Sequence, residues 1–195
     1  MVQVKAKVWE EEGFLNSAVV KILGVLSFIA LTTAGAYIRI PLPFTPVPVT
    51  LQTFFVILAG AMLGKKLGSL SQFGYLVVGL FGLPVFTGGL YGFARLFGPT
   101  GGYLIGFILA GYVVGWLLAG TDNAGFAEIV VAMFAGLVTL FLAGTLWLAF
   151  VMHISLYSAF AMGVLPFIPG DIIKLFAAAT IYQRLQGRAR TAFGE

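Results

Sequence analysis

Residues 124–151, AGFAEIVVAMFAGLVTLFLAGTLWLAFV, carry one ionisable side chain, Glu128, and nothing charged after it. A helix this long with no polar face cannot lie on the surface of a soluble domain. It can cross a bilayer, whose hydrocarbon core of about 30 Å needs about 20 mostly apolar residues. The stretch reads as a transmembrane helix, and the rest of the chain agrees. The 195 residues are 60% hydrophobic and 9% charged, with a mean hydropathy of +1.04. An average soluble domain carries about 25% charged residues. The polar surface needed to cover a water-soluble globule is missing, which excludes a soluble enzyme, a nucleic-acid-binding domain and a disordered chain.

Working outward, five more apolar stretches fall at 17–38, 49–64, 67–83, 99–120 and 169–186. The expectation is an all-α membrane protein of six transmembrane helices. Its single membrane domain covers 1–195, with the bundle at 17–186, an N-terminal segment 1–16 and a tail 187–195. Asn16-Ser17 makes a fair N-cap for the first helix. After it comes IPLPFTPVPVT at 40–50, where Pro41, Pro43, Pro46 and Pro48 forbid a regular helix. Pro99 suits the first turn of the fourth helix, and Pro169-Gly170-Asp171 opens the sixth.

Basic residues mark the cytoplasmic side of a membrane protein. With the N-terminus inside, that side holds Lys5, Lys7, Lys21, Lys65, Lys66, Arg184, Arg188 and Arg190, against Arg39, Arg95 and Lys174 outside. Both termini are therefore expected in the cytoplasm. The net charge of +4 reflects this topology, and no nucleic-acid partner is expected. MVQVKAKVWEEEGF at 1–14 lacks the short apolar core and cleavage site of a removable signal peptide. With no cysteine and one histidine, His153, neither a thiol nucleophile nor a multi-histidine metal site is available, so no cofactor or metal is expected. His153 reads as a helix-end residue.

Three outward segments are unusually rich in glycine, proline and aromatics: 39–48, PVFTGGLYGFARLFG at 84–98, and LPFIPGD before the last helix. Irregular backbone at membrane depth is tolerated where protein buries it or where it lines a cavity. These segments read as the mouth of an outward ligand pocket, walled by aromatics such as Phe86. Interface-anchored turns are the plainer alternative. Asp171 and Lys174, three apart at a helix start, share one face and offer an acceptor and a donor. Alternatively, Asp171 only caps the helix and Lys174 pairs with it locally. Arg95 presents a planar fork that fits a carboxylate, or else snorkels to water. Gln52, Ser71, Gln72, Tyr75, Tyr103 and Tyr157 interrupt apolar runs, as ligand donors or as glue between helices. Ala30 and Ala34 form a small-residue strip on the first helix, and Gly60/Gly64, Gly74 and Gly79/Gly82 form others. These suit close packing inside the bundle or against a partner. No nucleotide-binding loop, zinc-protease motif or nucleophile elbow occurs.

Four ordered motifs carry a resemblance: IRIPLPFTPVPVTLQTF at 38–54, LGSLSQFGYLVVGLFGLPVF at 67–86, GPTGGYLIGF at 98–107 and PGDIIK at 169–174. Together they resemble BioY, the biotin-binding S-component family of energy-coupling factor (ECF) vitamin transporters, over about residues 25–186. The resemblance implies the six-helix S-component fold and a site that opens to the outside of the cell membrane. It also implies that the loop 39–48 closes over biotin. Ala30 and Ala34 would dock a transmembrane T component, and separate ATPase subunits would hydrolyse ATP, so the chain itself is not an enzyme. Asp171 and Lys174 match the family's PGDxxK motif, and Arg95 its loop arginine. On this reading Asp171 accepts from the ureido N–H groups, while Lys174 and Arg95 share the remaining polar contacts, with Tyr103, Gln52, Tyr75 and Phe86 around the ligand. An S component for another vitamin, such as thiamin or riboflavin, is the first alternative. A membrane enzyme or a scaffold without a ligand is more remote.

Overall fold

The computed structural model describes residues 2–121 and 123–194, with side chains described from Ser17 onward. Helix α1 runs Val2–Tyr37. It does not begin at Ser17 as the capping signal predicts, because the preceding EEEGFLN holds no proline and a helix tolerates its single glycine. The side chains of Lys5, Lys7 and Asn16 lie outside the described residues. Beyond α1 the proline segment closes as a narrow hairpin. Strands β1 (Arg39–Ile40) and β2 (Val49–Thr50) pair antiparallel, with Arg39 opposite Thr50. Val49 and Thr50 thus belong to this hairpin and not to the second helix, because Pro46 and Pro48 hold the chain extended up to them.

Helix α2, Gln52–Leu80, is interrupted at Gly64, where φ is 77° and ψ 178°. The chain folds back there. Gln52 Nε2 lies 2.7 Å from the Tyr75 hydroxyl, whereas those residues would be about 34 Å apart along a straight helix. A Cβ on Gly68 would lie 2.8 Å from the Gly60 Cα. The two arms, 52–63 and 65–80, correspond to the second and third expected spans. Only glycine adopts the Gly64 conformation without strain.

A short helix α3 (Phe93–Phe97) precedes α4 (Gly101–Leu117), and α5 covers Phe126–Met152. The segment after α5 holds a helix that the hydropathy pattern does not announce. This α6, Leu156–Gly163, is capped by Ser155, whose hydroxyl accepts from the Ser158 N–H at 3.1 Å. A 3-10 turn at Leu165–Phe167 leads into α7, Ile168–Phe193, with a 57° bend between α6 and α7. Segments Ser17–Tyr37, Gln52–Leu80 and Phe126–Met152 are long and apolar enough to cross a membrane; α6 with α7 forms a bent fourth, and α4 is shorter.

The tail 187–195 is also more structured than its composition indicates. Helix α7 continues through it to Phe193, whose ring packs on Gly24 of α1. Arg190 Nη2 donates to the Leu118 carbonyl at 3.4 Å, and the Ala124 N–H donates to Gln186 Oε1 at 3.1 Å. One end of the bundle therefore gathers the Gly64 turn, the α4–α5 turn and the end of α7. The other end gathers the proline hairpin, the 81–100 loop and α6.

Glycines set the spacing between helices. A Cβ on Gly60 would meet the Gly111 carbonyl oxygen at 2.5 Å, backbone that cannot swing away. The Gly60 strip is thus spent inside the bundle, and Gly74 likewise faces Ile29 of α1. Gly60→Ala is expected to cost about 1–3 kcal/mol through overpacking. Gly187→Ala, in α7 with nothing within 4 Å, is expected to gain up to about 1 kcal/mol from helix propensity. Thermal unfolding in detergent distinguishes them. Equal midpoints for the two variants would show that helix spacing tolerates a methyl group at Gly60.

Candidate functional site

Asp171 lies in the first turn of α7 and Lys174 one turn on, on the same face. Lys174 Nζ donates to Asp171 Oδ1 at 2.6 Å, to the Thr50 carbonyl at 2.7 Å and to Thr53 Oγ1 at 3.1 Å. An ammonium has three N–H donors, and all three are placed. Thr53 in turn donates to Asp171 Oδ1 at 2.8 Å. This knot ties α7 to β2 and to the start of α2. Its ion pair is the one recorded among the described residues, with side chains only 12% and 5% exposed. Asp171 Oδ2 is buried and has no hydrogen-bond partner among the described residues. A buried charge is tolerated when it is paired and hydrogen-bonded, and here Oδ1 meets that need while Oδ2 does not.

A second polar group surrounds Gln52. Its Nε2 donates to the Tyr75 hydroxyl, which donates onward to the Val85 carbonyl at 3.1 Å. Its Oε1 accepts from Thr50 Oγ1 at 3.2 Å and from Thr87 Oγ1 at 3.0 Å. Arg95, on α3, donates from Nη2 to the Thr87 carbonyl at 3.3 Å. Burial, and then the neighbouring charge of Arg39, hold the Arg95 pKa below its ordinary value. Between these groups lies a cavity whose walls are otherwise apolar, including Val47, Phe86, Leu104, Phe107 and Phe167. Its enclosed space is narrow, about 60 Å³, below the range of drug-sized ligand sites.

Of the expected site residues, Lys174, Arg95, Gln52, Tyr103 and Phe86 line this cavity. Tyr103 does so with its ring, since its hydroxyl donates to the Gly163 carbonyl at 2.9 Å. Tyr75 stands behind the wall, holding Gln52, while Asp171 holds Lys174 and itself lines a separate apolar groove among α5, α6 and α7. Other polar residues have different duties. Gln72 accepts from Thr32 Oγ1 at 3.3 Å and donates to Ser71 at 3.1 Å, a buried link between α1 and α2 away from the cavity. Tyr157 is 82% exposed and takes no part. His153 ends α5 in a left-handed conformation, φ 53°. Ala30 and Ala34 are exposed on α1, on the side opposite the buried Phe28 and Thr32. Thr50, Thr53 and Thr87 are contributors that sequence reading passes over. Threonine is common in apolar helices and carries no signal until the fold shows what it faces.

The described residues thus form a helical bundle with a polar-dotted, otherwise apolar cavity at one end. Residues 7–191 match the model of the BioY family, and the chain belongs to that family. It is 45% identical to the probable biotin transporter BioY of Pyrococcus horikoshii over 84% of this chain and 94% of that protein. It is 44% identical to the biotin transporter BioY of Thermotoga maritima, covering 82% and 91% respectively. The crystal structure of the S-component for biotin from an ECF-type ABC transporter superposes with a TM-score of 0.82 at 32% identity, over 88% of this chain and 93% of that one. The fold is the S-component fold, and the chain is an integral membrane protein.

Proposed function

We propose that this chain binds biotin with high affinity and is the substrate-binding component of an ECF-type transporter. The carrying observation is the knot of Lys174, Asp171, Thr53 and Thr50 at the edge of an apolar cavity. Biotin's fused rings are largely apolar, while its ureido group offers two N–H donors and one carbonyl acceptor. As the ligand enters, Asp171 turns from behind the wall to accept the ureido N–H groups, giving its free oxygen a partner, and Lys174 meets the ureido carbonyl. Phe86, Tyr103 and Phe107 pack the rings, and Gln52, held by Tyr75, fixes the orientation. Arg95 at the loop side receives the carboxylate. The proline hairpin 39–48 closes the mouth.

In this reading the protein sits in the cell membrane with both termini in the cytoplasm and the cavity facing outward. Ala30 and Ala34 meet a transmembrane T component, and ATP is hydrolysed by partner ATPase subunits. Equilibrium binding of labelled biotin to the purified protein in detergent tests the ligand, with thiamin and riboflavin as competitors. Saturable nanomolar binding, displaced by biotin and by neither competitor, is expected. Displacement by another vitamin, or no saturable binding by folded protein, would overturn the assignment.

A further inference from the structure

Arg39 does not belong to the knot or to the Gln52 group, yet it stands beside both. It begins β1, paired with Thr50, whose carbonyl accepts from Lys174 and whose hydroxyl donates to Gln52. Its guanidinium reaches across to the 84–98 loop and lies against Gly88, so closely that a Cβ there would collide with Nη1. Gly88 has φ +85°, so glycine serves here both the turn and the approach of the arginine. Arg95 grips the residue before it, at the Thr87 carbonyl. Two guanidinium groups thus converge on one dipeptide at the mouth of the cavity.

Neither guanidinium has an acidic partner among the described side chains. Asp171 is engaged by Lys174. Glu128 caps the start of α5, accepting from the Gly125 N–H at 2.9 Å, at the opposite end of the bundle. Burial and the Arg39 charge both weigh against the charged form of Arg95, a cost that an incoming anion would reverse. A carboxylate has two oxygens with about four lone-pair sites, enough for two planar forks.

We propose that Arg39 and Arg95 form a two-guanidinium clamp for the ligand's carboxylate, and that Arg39 makes the site select free acids over their uncharged derivatives. The inference rests on the biotin reading above and adds a residue to it. Arg39 is the first residue of the flap 39–48 and already rests on the 84–98 loop, so a carboxylate that bridges the two arginines fastens flap and loop together.

The test compares biotin with biotin amide, its uncharged derivative, on wild type, Arg39→Gln and Arg39→Lys in detergent at low and high salt. Arg39 is exposed, so the variants are expected to fold, which thermal unfolding checks. Arg39→Gln is expected to weaken biotin about 3- to 5-fold, the upper part of the range for an exposed ion pair. Amide affinity should stay within about twofold of wild type, on the same scale of affinity differences. The salt dependence of biotin binding should flatten, and Arg39→Lys should recover part of the loss. Equal losses for biotin and the amide would overturn the clamp and leave Arg39 a structural residue of the flap. Unchanged biotin affinity in Arg39→Gln, with wild type binding normally, would overturn the clamp alone. Failure of wild type to bind biotin would instead overturn the ligand assignment and the clamp with it.

Discussion

Asp171→Asn should raise the Kd for biotin by about 30- to 150-fold, a loss of roughly 2–3 kcal/mol. The substitution keeps shape and removes charge, so packing in the first turn of α7 is preserved. Three consequences follow from the observed geometry. Lys174 keeps its bonds to Thr50 and Thr53 but loses its counter-charge at 2.6 Å, while only 12% exposed. The amide presents one acceptor oxygen in place of two, so the ureido N–H groups lose the acceptor that Oδ2 offers. Its NH₂ group also brings donors where the ligand brings donors. Stability should fall as well, because removing one member of a buried pair strands the other. Lys174→Met leaves the mirror-image fault, an unpaired buried carboxylate, and should destabilise by about 3–5 kcal/mol. In the double variant Asp171→Asn/Lys174→Met much of the stability should return, since no buried charge remains, while biotin binding should not. Recovered stability without recovered binding separates the structural role of the pair from its role toward the ligand. Wild-type affinity in Asp171→Asn would refute the assignment of the acceptor.

What could be read from the chain beforehand follows what the bilayer dictates. Helices α1, α4, α5 and α7 were legible in outline from the apolar runs 17–38, 99–120, 124–151 and 169–186, because hydrocarbon demands such runs. The turn at 64–66 was legible because glycine and two lysines interrupt such a run. Helix α6 was not, because LYSAFAMG is too short for a span and has no strong period of its own; Ser155 and its neighbours on α5 and α7 decide it. The continuation of α7 to Phe193 was hidden for a similar reason. Its charged sequence looks like tail, and the seat of Phe193 on Gly24 and the bond from Arg190 to the Leu118 carbonyl show otherwise. Within the site, Asp171, Lys174 and Arg95 announced themselves because charge near hydrocarbon is costly. The threonines at 50, 53 and 87 did not, and neither did the pairing that sets Arg39 across from Thr50. Those depend on a hairpin register, on the fold-back at Gly64 and on the packing of α7 against the start of α2, the last bringing together residues more than a hundred positions apart.

Transport makes a demand that binding does not, and Ala30 and Ala34 separate the two. Both are exposed on α1, while the cavity lies among α2, the 81–100 loop, α4, α5 and α7. Helices in lipid associate through close packing of small residues, since lipid tails are as apolar as leucine and no hydrophobic gain drives them together. A leucine at either position leaves the isolated bundle undisturbed but holds a partner helix away by the width of its side chain. Ala30→Leu/Ala34→Leu is therefore expected to bind biotin within about twofold of wild type, well below the tenfold step of 1.4 kcal/mol, with the same thermal midpoint. Uptake of labelled biotin by cells that supply the T component and the ATPase subunits should nevertheless fall to background. Co-purification with those subunits should fail in parallel. Intact uptake by the double variant would place the docking surface elsewhere on the bundle, whereas loss of binding together with uptake would mean that the strip supports the fold of α1 itself.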